Sequence, residues 1–179
     1  MTRLGWFLRR EQGGNAAVEM ALITPLLLII MFGSVELGNY FMNEHSLVQA
    51  VRDGARFAGR QSFTNYASCS GSPGGTVISD TQNVVMNGYL SGGSVITPHI
   101  TSSDVTLTVS CTSSAGGQDM LGIYRDRLSG ACGGGSGSGC AQVVTVNATV
   151  PYRSILGSMG FSGIGLDLNA SSQAVVTGI

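Results

Sequence analysis

The chain has 179 residues, a formal net charge of −1 and only 11% charged residues, which argues against a nucleic-acid-binding surface. Its 27 glycines are about twice the usual share. The length allows one domain plus a membrane segment, and low charge with abundant Gly, Ser and Thr suits an exported, loop-rich domain better than a cytosolic enzyme.

All nine basic residues are arginine, and three of them (Arg3, Arg9 and Arg10) precede the first apolar run. Basic residues just before a span predict that this end stays in the cytoplasm while the rest is translocated. Residues 16–35 carry one charge, Glu19, and the run ends against Glu36. A lone carboxylate in a membrane helix costs roughly 2.5–3.5 kcal/mol on insertion scales, so it needs a partner, a purpose or a route to the interface. Residues 21–32 could form the core of a secretory signal. The Met31-Phe32-Gly33 that follows puts Met where a signal peptidase wants a small residue. The helical pattern also continues, with apolar residues at Leu37, Tyr40, Phe41, Leu47, Val48, Val51, Ala55 and Ala58. The expectation is one helix over about 15–61, roughly 70 Å long, more than twice the thickness of a bilayer's hydrocarbon core. Pro25 removes one backbone hydrogen bond from it, and reads either as an ordinary membrane-helix kink or as a weak point in the stem.

Glu19 admits two readings. It could snorkel to the cytoplasmic interface from a short distance inside the span. Alternatively, cleavage after Gly14 would make Glu19 the fifth residue of a new N-terminus, with the freed Asn15 amine as a positive partner. Gly14-Asn15-Ala16-Ala17-Val18-Glu19-Met20-Ala21-Leu22, followed by Pro25-Leu26-Leu27, resembles the TadE-like pseudopilins of tight-adherence pilus systems. Ala55-Arg56-Phe57-Ala58 resembles the tail of the same region, so the likeness covers about residues 10–60.

That resemblance implies a minor pilin-like subunit supporting assembly of a Flp-type pilus. A prepilin peptidase would process it after Gly14, with Gly14 and Asn15 at the scissile bond and Glu19 in recognition and stem-to-stem register. The implied organisation is a cytoplasmic leader (1–14), a transmembrane segment (15–36), an extracytoplasmic stretch of the long helix (37–61) and an exported head (62–179). Its implied location is the bacterial inner membrane, single-pass, with the head periplasmic or extracellular and incorporation into the pilus allowed. The implied partners are the membrane, the peptidase, other Tad pseudopilins and pilus assembly proteins. Two rivals stand beside it: an uncleaved single-pass anchor for a binding or adhesion module, and a secreted disulfide domain released by signal peptidase.

Arg52, Arg56 and Arg60 fall at i, i+4 and i+8 and form a basic stripe, with Asp53 placed to relieve Arg56. The stripe reads as a solvated face favoured by the helix C-terminal dipole, or as guanidinium forks for a partner subunit's carboxylates or carbonyls. Residues 62–78 are rich in Ser, Gly, Asn and Thr, with Ser72-Pro73-Gly74-Gly75 as a turn. A short helix is expected over about 79–90, capped by Ser79 or Asp80, with Ile78, Val84, Val85 and Tyr89 on its apolar side. The period then changes to two. Val105, Leu107 and Val109 alternate with Thr and Ser up to Cys111, and Val144, Val146, Ala148 and Val150 alternate up to Pro151. Residues 166–176 give a third, less clean strand.

Between the first two strands lies a Gly- and Ser-rich excursion in which residues 120–128 form a brief helix or loop. Residues 151–161 read as a short helix or loop covering the sheet, or else as a docking surface. The sequons at Asn147 and Asn169 are read as chance. All four cysteines (Cys69, Cys111, Cys132 and Cys140) lie beyond the span, as expected in an oxidising compartment, and allow three pairings. In the chain-entropy model a Cys132–Cys140 bridge would add about 2.6 kcal/mol and a Cys69–Cys111 bridge about 3.9 kcal/mol. No CxxC or HxxxH element supports zinc, and His45 and His99 are isolated. With no catalytic constellation, cofactor motif or small-molecule site, the chain reads as a non-enzyme. The expected fold is α+β and pilin-like, a long, partly transmembrane N-terminal helix packed on a small antiparallel sheet.

Overall fold

A computed structural model describes residues 12–115, 117–119, 122–124, 139–158 and 165–178. The leader up to residue 11, Cys132 and most of the 120–138 excursion fall outside these residues. The described residues form two compact units, one of 12–40 with 154–158 and one of 41–153 with 165–178.

Helix α1 (Gln12–Gly59) runs through both units, beginning three residues before the expected start. Pro25 lies inside it. Its hydroxyls turn back onto their own helix: Thr24 Oγ1 donates to Met20 O at 2.6 Å, and Ser34 Oγ to Ile30 O at 2.6 Å. Such back-bonding leaves the polar groups of the apolar run with no need for water. The helix ends by tightening, with Arg60 N–H donating to Phe57 O and Gln61 N–H to Ala58 O, both at 3.1 Å.

In the second unit the core lies between one stripe of α1 and one face of a three-stranded antiparallel sheet. Leu47, Ala50, Val51, Ala55 and Ala58 are buried on the helix. Val48 and Tyr40 of the predicted stripe are half-buried, whereas Leu37 and Phe41 are exposed. The strands are β1 (Val105–Thr112), β4 (Ala141–Pro151) and β5 (Asp167–Val175), in the order β1-β4-β5. Their alternating residues divide cleanly, with Val105, Leu107, Val109, Val144, Val146, Ala148, Val150, Leu168 and Ala170 inside. Register is fixed by this pattern, since a one-residue slip would turn every inward side chain to solvent. Val109 pairs with Val144, and Ala148 pairs with both Val105 and Ala170. A small ribbon of β2 (Ser114–Ala115) and β3 (Gln118–Asp119) follows β1. Of the 120–128 segment, the described residues form a 3-10 turn, Gly122–Tyr124.

Helix α2 (Val77–Asn87) begins two residues before the expected position, and Thr76, not Ser79 or Asp80, occupies its N-cap. It stops at Gly88, which adopts φ +74° and donates its N–H to Val84 O at 2.9 Å. Tyr89 therefore leaves the helix before it can join the apolar side and is exposed, while Val77, Thr81 and Val85 are buried. The two helices meet at Gly54, where a Cβ would collide with Val85 Cγ2.

The 151–161 segment is the one expected to be a short helix or loop. Its described part includes a short helix, α3 (Ile155–Ser158), which groups with the first half of α1. Leu156 N–H donates to Glu36 Oε2 at 3.2 Å.

Candidate functional site on the stem

The first half of α1 is apolar and uncovered. It carries an 18-residue window of mean hydropathy 2.1, none of it buried, and is long and apolar enough to cross a membrane. Leu22 is 75% and Ile29 70% exposed, a surface that water would not leave bare.

Gly14, Asn15 and Glu19 all lie within the first turns of this helix and are exposed. A Cβ at Gly14 would meet nothing within 4 Å, so neither packing nor backbone conformation requires glycine there. Among the described residues no hydrogen bond or ion pair reaches the Glu19 carboxylate. A Cβ at Gly33 or Gly38 would likewise meet nothing within 4 Å, leaving the close-approach surface that small residues give a membrane helix.

Further along α1, Arg52, Arg56 and Arg60 lie exposed on the side away from the buried stripe. Arg56 Nη1 reaches Asp53 Oδ1 at 3.5 Å, with both side chains about two-thirds or more exposed (73% and 65%). A surface pair of that length is worth under about 1 kcal/mol and does not neutralise the face. The Arg52 and Arg60 side chains have no hydrogen bond or ion pair among the described residues. The structure thus brings the three arginines onto one face, while Glu19 belongs to the other unit.

The cysteines serve the second unit. Cys69 and Cys111 form a disulfide with Cα atoms 5.0 Å apart, joining the loop after α1 to the end of β1. The same loop is held by Val109 N–H donating to Gly71 O at 2.8 Å. Cys140 is also disulfide-bonded, and its partner lies outside the described residues.

Two buried polar groups were not foreseen. Tyr66 donates its hydroxyl to Ala58 O at 2.6 Å, and burial pushes its pKa up to about 12. Gln142, buried in β4, donates Nε2–H to Tyr66 O at 3.3 Å. Tyr124, edge-on to Phe63, also has its pKa raised by burial. Among the described residues no cluster of His, Cys, Asp or Glu could hold a metal ion.

An exposed apolar stem continuing into a helix packed on a small antiparallel sheet defines an α+β arrangement. Over the stem the relationship is specific: residues 14–56 match the family described as TadE-like protein. The match opens at Gly14 and closes at Arg56, spanning Glu19, the apolar run and the first two arginines of the stripe. No curated protein and no solved structure matches the chain.

Proposed function

We propose that this chain is a minor, TadE-like subunit that supports assembly of a tight-adherence, Flp-type pilus, and that a prepilin peptidase cuts it after Gly14. The observation that carries the proposal is the family match over 14–56, whose first residue is the glycine of the proposed scissile bond. Gly14 and Glu19 have no evident task in the chain's own fold, which suits a pair of residues used by other proteins.

Residues 1–14 are then a cytoplasmic leader kept inside by Arg3, Arg9 and Arg10. Residues 15–36 cross the inner membrane, 37–61 continue the helix outside, and 62–179 form the exported head. Cleavage requires the first turn of α1 to open, because Gly14 and Asn15 are helical in the uncut chain. The new Asn15 ammonium then offsets the Glu19 carboxylate of its own or a neighbouring stem, which removes much of the cost of a charge in lipid. Arg52, Arg56 and Arg60 offer guanidinium forks to carboxylates or carbonyls of neighbouring subunits. The role is structural, with no chemistry of its own.

Intact mass and N-terminal sequencing of the protein from native membranes test the reading. A chain beginning at Asn15 is expected, and Glu19→Ala is expected to reduce piliation while leaving the protein in the membrane. A chain beginning at Met1, with piliation indifferent to Glu19→Ala, would sink it in favour of an uncleaved anchor for an adhesion module.

A further inference from the structure

The contact between Glu36 and Leu156 ties together residues 120 positions apart in the sequence. Glu36 is the first charged residue after the apolar run, and so marks where the helix leaves hydrocarbon if the run spans a bilayer. The Leu156 N–H on the Glu36 carboxylate fixes the short helix Ile155–Ser158 at that same level of the stem. Leu156 is half-buried there, while Ile155 is left 43% exposed. On the stem at this level, Val35 and Leu37 are also more than half exposed. Ile155, Val35 and Leu37 are thus exposed apolar side chains of the same unit, the one that carries the apolar run.

We propose that residues 154–158 form a membrane-interface foot, moored by Glu36, whose Ile155 side chain enters the lipid leaflet on the Glu36 side of the bilayer. This rests on the reading of the apolar run as a transmembrane anchor, and adds a second point of lipid contact outside the span. Physically the foot is a short amphipathic piece whose polar backbone end is satisfied by a carboxylate and whose apolar side chain faces the acyl boundary. Glu36 acts as a positioning residue: it holds the depth of the foot and does not itself bind lipid.

Tryptophan depth measurements test the foot separately from the anchor. The single tryptophan, Trp6, is first removed as Trp6→Phe. Leu27→Trp or Ile155→Trp is then introduced, and the full chain is reconstituted in phosphatidylcholine vesicles containing brominated lipids. Expected is strong quenching of the Leu27→Trp signal by lipids brominated deep in the chains. The Ile155→Trp signal should be quenched most by lipids brominated near the glycerol level. Adding Glu36→Ala should abolish most of the Ile155→Trp quenching, whereas Glu36→Gln, which keeps an acceptor oxygen, should preserve it. Quenching at Leu27→Trp with none at Ile155→Trp would overturn the foot and leave the anchor standing. Absence of quenching at both positions would overturn the anchor itself, and the foot with it. Shielding of Ile155→Trp that appears only at high protein-to-lipid ratio, without bromine quenching, would assign the surface to a neighbouring subunit and overturn the lipid proposal.

Discussion

Tyr66 shows how a single buried hydroxyl ties the head to its helix. It donates to a carbonyl, Ala58 O, that also accepts from Gln61 N–H, so the loss of Tyr66 Oη would not orphan the acceptor. Tyr66→Phe is therefore expected to cost only about 1 kcal/mol in urea or thermal unfolding, the net value of one ordinary hydrogen bond. The pH dependence is the sharper signature. Tyr66 titrates at about 12 when folded against 10.0 when unfolded. Between those values the unfolded chain binds fewer protons than the folded one, so stability is intact below pH 10 and falls as pH rises toward 12. Burial this complete makes the loss on the order of 2–3 kcal/mol across that window. Tyr66→Phe should flatten that part of the stability curve; an unchanged alkaline slope would assign the loss to other groups. Neither Tyr66 nor Gln142 stands out in the sequence, because a buried polar residue in a loop or a strand leaves no periodic trace.

At the scale of elements, Gly54 sets how closely α1 and α2 approach. A methyl group there would meet Val85 Cγ2, a stiff β-branched side chain that is fully buried. Gly54→Ala gains roughly 1 kcal/mol of helix propensity, but overpacking of this kind typically costs about 1–3 kcal/mol. The expected result is a net loss of stability, relieved when Val85→Ala is added, so a double-mutant cycle should show strong coupling. Additive effects would mean that the helices do not cross here. Strands β1 and β4 were legible because each buries one face, and the alternation of Val with Thr, Ser or Asn records that directly. β4 proved longer than its Val144-to-Val150 pattern, since Ala141 and Gln142 also lie buried beside Cys140. The limits of α2 were less legible. Tyr89 continues the helical spacing, but Gly88 in the left-handed region ends the helix one residue before it.

For the molecule as a whole, the stem was readable from the sequence because it is a local pattern: one charge in a long apolar run, then a 3.6-residue stripe. The mooring of residues 154–158 was not, since a hydrogen bond across 120 residues has no local signature. The cysteine spacing left the pairing open, and only the approach of the post-α1 loop to β1 selects Cys69 with Cys111. Cys69→Ser is expected to destabilise the head by up to about 3.9 kcal/mol. Denaturant titration of the variant beside the oxidised wild type checks this, and a variant as stable as the oxidised protein would show that the loop is held without its bridge. The closure at Gly59 has a kinetic consequence. Its carbonyl accepts the N–H of Thr177 at 2.8 Å and the hydroxyl of the same residue at 3.2 Å, and Val176 N–H reaches Gln142 O at 2.8 Å. The end of this helix therefore finds its partners 118 residues further along the chain, and the sheet cannot be completed before β5 has been made. Closing the head thus depends on a contact of high sequence separation, the kind that slows folding and leaves a partly folded chain exposed for longer.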